Sequence, residues 1–445
     1  MQLYHKIGIF CLLFATQLSA QQELMLQTLP DLWHATSINP ALFPENKRIA
    51  IGLPGYSLDA SHSGDITYND LLRKDGDQTV IDFGKVIDRL EPENTLYFDQ
   101  RIETVSLGIR LPGNWSIQAG HANRLTGLAV YPKSLAEVLW NGNGPYIGEK
   151  VEFGFQARVF DWNEWSVGLA KHFKDVSVGA RLKYLTGVNS FITDNDHRSA
   201  TVFTNPDIYQ LDIETDYGFH SSSLISDIDT SGLGFQVGIA DLKGQAFSKN
   251  TGVSVDIGLQ WRVSEQLTIS ASVLDLGGKI KWKESANYFR SNGKFVYEGI
   301  TFPGADIING GDSLNFDQKL DTLNDIFQFK KTAQAFTTQL PERIYIGGTF
   351  QLTEKWGLGV SAFAQNSDNH RIGGLGASVR WLPVRWLSLG AMYSVNRRSA
   401  ANLGFHLVVK PGPVQFYFLS DNLANAFSLK SSPAVNLRTG LSLVF

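Results

Sequence analysis

The C-terminal stretch, residues 401–445, is the part of this sequence that most constrains the fold. From Val435 to Phe445, apolar or methyl-bearing side chains occupy every second position, and the stretch ends on an aromatic residue. Segments 402–410 and 413–420 alternate in the same way. Because successive side chains of a β-strand point to opposite faces of the sheet, this period of two predicts three strands, each with one apolar and one polar face.

The same alternation recurs through most of the chain, for example at 98–111, 176–189, 250–263 and 372–382. The polar faces carry charged or titratable side chains within the strands, which we predict to line a lumen: Arg110, Arg181, Asp256, Arg262, Arg380, His406 and Arg438. In a soluble sandwich the apolar face would point to the core. In a membrane barrel it meets lipid, and the charged face lines a wet interior. Alternation alone leaves both architectures open.

The first 20 residues have the pattern of a secretory signal peptide. Lys6 precedes an apolar run from Ile7 to Phe14, and Ala20 ends a small-residue cleavage site. The single cysteine, Cys11, lies inside this segment, so the remainder is predicted to have no disulfide and no thiolate chemistry. No later apolar run approaches the roughly 18 residues of a membrane helix. An exported chain of this kind is soluble or an outer-membrane barrel.

The connections between strands favour the barrel. Short turns, as at 112–114 and 353–355, alternate with much longer connections, as at 190–249 and 285–340. Barrels of the outer membrane have short periplasmic turns and long extracellular loops. The sequence therefore predicts an all-β protein, a transmembrane antiparallel barrel of about 14 strands in the cell outer membrane. Segment 149–172 is predicted to be one bent or bulged strand, although Asp161 to Glu164 has turn composition.

Residues 21–46 lack the alternation. They contain three prolines among several leucines, and they come before the first predicted strand. A barrel of about 14 strands is too wide to be filled by its own side chains, since about eight strands already enclose a packed interior. We therefore predict that residues 21–46 form an N-terminal hatch, or plug, within a barrel formed by residues 47–445. Asn39 and Pro40 are expected to hold a turn against the wall.

Several short motifs resemble known outer-membrane proteins. The string Asn39-Pro40-Ala41 resembles the hatch motif of the long-chain fatty acid transporter superfamily, whose members are 14-stranded barrels. The terminal Phe445 resembles the signal by which outer-membrane barrels present their last strand to the barrel assembly machinery. Other matches are to an uncharacterised family of Bacteroidetes barrels related to that superfamily, over the segments at 52–70, 272–282, 412–422 and 436–440. The resemblance implies a plugged barrel and no agreed activity.

The sequence shows no motif for catalysis, metal binding or a cofactor, so we predict no catalytic residue, no metal site, no cofactor and no enzyme activity. A net charge of −4 gives no reason to expect nucleic acid as a partner. His121, His172 and His406 are interpreted as polar wall residues. The acidic clusters at 194–196 and 227–229 are interpreted as solvated loops, although calcium would be the ligand to test there.

Two functions remain open at this stage. One is a plugged channel or transporter for small hydrophobic compounds. The alternative is a non-transporting outer-membrane scaffold that binds surface or secretion proteins through its external loops. The expected partners are outer-membrane lipid, the barrel assembly machinery, and either small hydrophobic ligands or those proteins.

Overall fold

The computed structural model describes residues 23–63, 66, 72–75, 78–81, 83–222, 247–297, 328–367, 370–396, 402–422 and 434–445. The predicted signal peptide and the acidic cluster at 227–229 lie outside these residues. Among the described residues, no helix has the length and apolarity needed to cross a membrane.

Strands make up most of the described chain, and five short helical turns accompany them. The helical segments are α1 (Leu24–Gln27), a 3-10 turn (Trp33–Ser37), α2 (Phe83–Asp88), α3 (Lys133–Asn141) and a second 3-10 turn (Gly144–Tyr146). The strands are β1 (Ile49–His62), β2 (Leu72–Asp75), β3 (Gln78–Ile81), β4 (Glu93–Leu111), β5 (Trp115–Pro132), β6 (Lys150–Glu152), β7 (Gln156–His172), β8 (Val176–Thr204), β9 (Leu211–Ser222), β10 (Thr251–Arg262), β11 (Leu267–Trp282), β12 (Ala286–Tyr297), β13 (Lys330–Ala333), β14 (Phe336–Gln339), β15 (Glu342–Gln351), β16 (Trp356–Ser367), β17 (His370–Val384), β18 (Leu387–Asn396), β19 (Asn402–Val409), β20 (Val414–Ser420) and β21 (Ala434–Val444).

Fourteen of these strands close into one antiparallel barrel: β1, β4, β5, β7, β8, β10, β11 and β15 to β21. Closure is direct, because β1 pairs with β4 on one side and with β21 on the other. Leu58, for instance, lies opposite Gln100 in β4 and Leu437 in β21. The barrel and its strand number confirm the prediction from the alternation. A closed sheet leaves no unpaired edge, which the hydrocarbon core of a membrane requires.

The alternation separates two faces of the wall. In β8, the outward Leu182 is 59% exposed, whereas its neighbours Arg181 and Lys183 are buried in the lumen. The outward residues of the other barrel strands are likewise large and apolar. Near the short turns they include Trp261, Trp356 and Trp381, and the rings of Trp356 and Trp381 stack with centroids 5.9 Å apart. Such a belt of aromatic side chains marks a membrane interface.

The segment predicted to be one bulged strand is continuous through its turn-like centre. Strand β7 runs through Asp161 to Glu164, and its register with β8 shifts between Asp161 and Trp162. The extra residue bends the strand without ending it. Upstream of β7, the short strand β6 pairs with β8, so the extended region is divided in two.

Within the long connections at 190–249 and 285–340, the described residues form further strands beyond the barrel. Strand β8 extends to Thr204, where it turns back into β9, and β9 also pairs with β12. The alternation of Leu211, Ile213, Thr215 and Tyr217 continues the period of two beyond the barrel. The sequence pattern of a strand is the same inside and outside a membrane, so alternation alone did not mark where the barrel ends.

The main apolar core lies inside the barrel rather than within the wall. Leu24, Met25 and Leu26 of α1 have no exposed surface and pack with inward side chains such as Tyr345 and Phe363. The N-terminal segment from residue 23 onward therefore plugs the lumen, as predicted.

Charge placed on the outward face tests the orientation of the wall. Ile346 lies within β15 and is 54% exposed, and Leu352, just beyond the same strand, is also 54% exposed. We expect Ile346→Arg to lower the free energy of unfolding by about 2–4 kcal/mol, and Leu352→Arg by about 0–1 kcal/mol, since the cost falls towards the interface. Urea titration of the protein folded in lipid vesicles measures both. Equal costs would contradict the assigned membrane depth.

Candidate functional site

The plug begins at an acidic residue of the barrel. Asp421, directly after β20, accepts hydrogen bonds from the backbone amides of Leu24 (3.2 Å) and Met25 (3.0 Å). A carboxylate is well suited to the amides at the start of a helical turn, which have no partner within the turn. From there the plug descends through the lumen, and its Glu45 reaches Arg262 beside a short turn.

The Asn39 turn is fastened by both ends of its side-chain amide. Asn39 Nδ2 donates to the carbonyl of Leu259 in β10 (3.1 Å), and Oδ1 accepts from the amide of Ala41 (3.0 Å). The carbonyl of Pro40 accepts a hydrogen bond from Gln118 Nε2 (3.3 Å). Gln118 of the wall thus satisfies a backbone carbonyl of the plug that lies beyond its 3-10 turn.

Two glycines make room for this turn. A Cβ atom on Gly258 would lie 2.1 Å from Asn39 Oδ1, and one on Gly179 would lie 2.4 Å from the Pro40 carbonyl oxygen. Both distances are far below van der Waals contact, so any larger residue would displace the turn. The fit between the plug and the wall therefore depends on the absence of side chains at these two positions.

Above the Asn39 turn, a network of twelve charges crosses the lumen, which we call the charged belt. Its cations are Arg101, Arg124, Arg181, Lys183, Arg343 and Arg438, and its anions are Glu23, Asp99, Glu103, Glu164, Asp256 and Asp275. Every member is linked to the rest by ion pairs, and every side chain is at most 13% exposed. The charges sum to zero.

Asp275 is the hub of the belt and has no exposed surface. Its carboxylate receives Lys183 Nζ and Arg343 Nη2, each at 2.6 Å, and Arg124 Nη1 at 3.0 Å. Asp275 has a φ of 59° and lies at an irregularity of the β10–β11 register, followed by Gly277 at a φ of 63°. This bulge in β11 re-aims the side chain into the lumen, a common use of bulges next to functional sites.

The plug contributes one of the twelve charges. Glu23 pairs with Arg438, and its other carboxylate oxygen accepts from the Tyr345 hydroxyl (3.0 Å). Burial raises the pKa of Glu23, but the positive charges of Arg438, Arg343 and Arg101 outweigh it, so the pKa lies below its ordinary value. Glu23 is therefore ionised at neutral pH.

Two other titratable groups at the plug, His34 and Asp421, have pKa values that burial shifts towards the neutral form. Burial lowers the pKa of His34 below its ordinary value, although Glu103 opposes the shift. The ring is therefore neutral at pH 7. Burial raises the pKa of Asp421 to about 6. The hydrogen bonds that its carboxylate accepts from the two plug amides act in the other direction and lower the pKa.

The predicted lumen residues all lie on the inner side of the wall, but only some meet one another. Arg181, Asp256 and Arg438 belong to the charged belt. Arg110 lies over the ring of Phe43 of the plug, 5.1 Å from its centroid, and Arg262 pairs with Glu45. The sequence predicted a wet interior. At the level of the charged belt, however, the charged side chains are buried against one another.

His406 and Arg380 lie nearer the short turns. His406 Nε2 is 3.0 Å from Ser388 Oγ, and Arg380 Nη2 donates to Gln351 Oε1 (2.6 Å). His172 contacts Ser116 Oγ and Ser177 Oγ, each at 2.9 Å, so both of its ring nitrogens are taken by hydroxyls. Within the part of the chain that the structure describes, neither histidine has the carboxylate partner that orients a catalytic histidine.

The structure also shows where the other predicted site residues lie. Phe445 is 53% exposed, and its amide and carbonyl bond to Ile49 and Arg48 at the start of β1. Asp194 lies in β8 and accepts a hydrogen bond from the Tyr288 hydroxyl (2.9 Å). The described residues contain no group of three or more His, Cys, Asp or Glu side chains arranged to hold a metal ion.

The wall is thin between β4, β5 and β7. The register of β4 with β5 shifts between Glu103 and Val105, and the inward positions beside the shift are small residues, Ser106, Gly120 and Ser166. A cavity of about 40 Å³ lies on the inner side, and an apolar groove of about 510 Å³ lies on the outer side. Both are lined by Ser106, Gly120 and Ser166, so they lie on the two sides of the wall at the same point.

A second, larger cavity opens towards the short turns, between the plug and strands β15 to β19. It measures about 460 Å³ and is lined by Leu29, Asp31 and Leu32 of the plug and by Arg380 and Lys410 of the barrel, among others. Sequence reasoning found Arg380 but missed this cavity, and it also missed Arg124, Glu164, Asp275 and Arg343 of the belt. The signal that could have found these four residues was a charged side chain within a predicted strand, at a position whose parity points it into the lumen.

Comparison with known proteins places the chain in a family. Residues 40–421 match a family described as a family of unknown function, DUF5723. The chain belongs to this family. The family match contains ten members of the charged belt, and only Glu23 and Arg438 lie outside it.

Solved structures of outer-membrane transporters are similar to this family member at low sequence identity. The Pseudomonas putida toluene transporter TodX aligns at a TM-score of 0.44 and 9% identity, covering 96% of this chain and 97% of that one. A Pseudomonas aeruginosa FadL homologue aligns at a TM-score of 0.36 and 11% identity, covering 91% of each chain. A comparison with curated proteins gives no match.

Removing the hub of the belt tests its energetics. Asp275→Asn leaves three buried cations with one partner fewer, and breaking a buried ion network typically costs about 3–5 kcal/mol. We expect a loss of that size in the free energy of unfolding, measured by urea titration in vesicles. The matched control is Arg262→Gln, which breaks an ion pair whose side chains are 51% and 59% exposed and should cost less than about 1 kcal/mol. Similar losses in both variants would argue against the belt.

Filling the pocket of the Asn39 turn tests how the plug is held. Gly258→Ala should release the turn, so that a reporter cysteine at buried Ala35, in a Cys11→Ser background, reacts with maleimide several-fold faster. Gly144→Ala is the control, since a Cβ there meets nothing within 4 Å. An unchanged labelling rate in Gly258→Ala, with the barrel still folded by its heat-modified gel mobility, would show that these contacts do not hold the plug.

Proposed function

We propose that this chain is an outer-membrane channel for small hydrophobic compounds, and that its solute passes between the lumen and the lipid through the wall at Gly120. The observation that carries this proposal is that the inner cavity and the outer groove share the wall residues Ser106, Gly120 and Ser166.

The obstruction of the barrel axis by the plug and the charged belt also supports the proposal. The plug fills the lumen with buried apolar side chains, and the charged belt spans it with ion pairs. An ion or sugar that followed the axis would have to break this network. Breaking a buried pair is costly, because the partner left behind stays charged and unsolvated.

The lining of the outer groove supports a hydrophobic solute. Its walls include Leu107, Val167 and Leu182, and the indole of Trp165 stands at its side. An apolar molecule gains free energy on leaving water for such a surface, by roughly 25 cal/mol for each Å² buried. A charged molecule pays a desolvation penalty on the same path, so the groove selects against it.

The extracellular half of the interior is packed with apolar side chains. Phe160, Trp162, Leu185 and Trp282 form one buried cluster, and the rings of Phe160 and Trp162 stack with centroids 5.1 Å apart. Each of these four side chains is at most 1% exposed, so the cluster packs this part of the interior and favours a route through the wall.

Uptake by whole cells tests the channel. Cells that make the full chain should take up ethylbenzene several-fold faster than cells without it, and should take up raffinose no faster. Gly120→Phe would close the thin point of the wall and return ethylbenzene uptake to the background rate. Gly144→Phe is the matched control, because its surroundings are open. Ethylbenzene uptake that Gly120→Phe leaves unchanged would sink the lateral route, and uptake no faster than in cells without the chain would sink the channel.

A scaffold function is the second candidate, and one observation favours it. The hairpin of β8 and β9 projects beyond the barrel, and its tip exposes Ile208 at 64% and Tyr209 at 63%, the latter with a φ of 56°. Apolar side chains held at a strained tip are typical of surfaces that bind protein partners. A channel does not need them.

The processing and assembly of the chain remain part of the proposal. We propose cleavage after Ala20, a hatch of residues 21–46, a barrel of residues 47–445, and recognition of the last strand through Phe445. The half-exposed ring of Phe445 beside the short turns is compatible with that last role.

A further inference from the structure

The cavity beside the short turns is lined by cations that differ from those of the charged belt in having no ion pair with a described residue. Arg380, Arg385 and Lys410 all line it. None of the three has a carboxylate within 4.0 Å among the described residues, although each belt cation has at least one. Arg380 is held only by the neutral oxygen of Gln351, at 2.6 Å.

Two acids also line the cavity, but they do not cancel the three cations. Asp31 and Glu354 lie beyond ion-pair distance of Arg380, Arg385 and Lys410. Burial lowers the pKa of Lys410 below its ordinary value, and Asp31 opposes this only in part. The lining therefore has an excess of one positive charge in a partly enclosed space, where Coulomb attraction is stronger than in bulk water.

Apart from Gln351 and Ser388, the rest of the lining is apolar. Leu29 and Leu32 contribute from the plug, and Val408 contributes from β19. The volume of about 460 Å³ falls within the roughly 300–1,000 Å³ that is usual for small-molecule sites. A cavity that combines an apolar floor with a few convergent polar groups is the common form of such a site.

We infer that this cavity binds a small organic acid, a molecule with one carboxylate and a compact apolar body. The carboxylate would take the hydrogen bonds that Lys410 and Arg380 leave unused, since arginine and lysine bind carboxylates through charge-assisted hydrogen bonds. The apolar body would lie against Leu29, Leu32 and Val408. Such a ligand would contact the plug and the wall together.

This site is distinct from the proposed solute path. The groove at Gly120 opens to lipid between β4, β5 and β7, whereas this cavity opens beside the turn that joins β17 to β18. The inference therefore does not depend on transport. It assigns a ligand to the opposite part of the lumen.

Calorimetric titration of the full chain in a non-ionic detergent tests the site. The probe is 4-isopropylbenzoate, and its neutral match is 4-isopropylbenzamide, which has nearly the same shape. We expect the carboxylate to bind at least tenfold more tightly than the amide. Lys410→Gln should weaken carboxylate binding about tenfold and leave amide binding unchanged.

Two further variants keep the test decisive. Lys47→Gln removes a nearby lysine that does not line the cavity and whose ammonium contacts the Val444 carbonyl (3.4 Å), so it should not change binding. Arg385→Gln alters an exposed side chain of the lining and should weaken binding even if Lys410→Gln fails to fold. Equal affinity for the two probes, no measurable binding of the carboxylate, or an effect of Lys47→Gln as large as that of the lining variants would overturn the inference.

Discussion

The buried charged belt is the interaction on which the rest of the structure depends. Each of its ions would cost several kcal/mol to bury alone, and only mutual pairing offsets that cost. The pairing is complete only when Glu23 of the plug is in place, because the barrel alone supplies one cation more than it supplies anions. Withdrawing the plug would leave Arg438 with Glu103 as its single carboxylate partner. The plug is thus bound to the wall by charge balance as well as by its apolar packing.

The lumen has two levels, which differ in whether their charged side chains form ion pairs. Above the Asn39 turn, the twelve charges of the belt are paired with one another and sum to zero. Below it, the cavity beside the short turns keeps three cations that form no ion pair with any described residue. The difference is physical, because the belt is sealed from water by plug and wall while the lower cavity opens at the barrel end. A sealed site must pair its charges, and an open one retains charges for a ligand.

Much of the barrel could be predicted from the sequence alone. The period of two is a local property of the backbone, so 14 strands and their faces follow from the spacing of residues such as Leu182 and Arg181. The bulge in β7 was also predictable, because alternation continued on both sides of Asp161. The placement of Asn39 was suggested by the proline that follows it, which restricts its backbone. The extension of β8 to Thr204 was missed, since a strand has no sequence mark where the membrane ends.

The sequence by itself determined which side chains face inward, because that depends only on parity along each strand. It did not determine which inward side chains meet. Arg124 and Asp275 are 151 residues apart in the chain and lie on strands separated by several others, so closure of the barrel alone brings them to 3.0 Å. The same holds for Glu23 and Arg438, and for the cavity between the plug and β15 to β19. Contacts across a lumen depend on the diameter of the barrel and the path of the plug, which are properties of the closed fold.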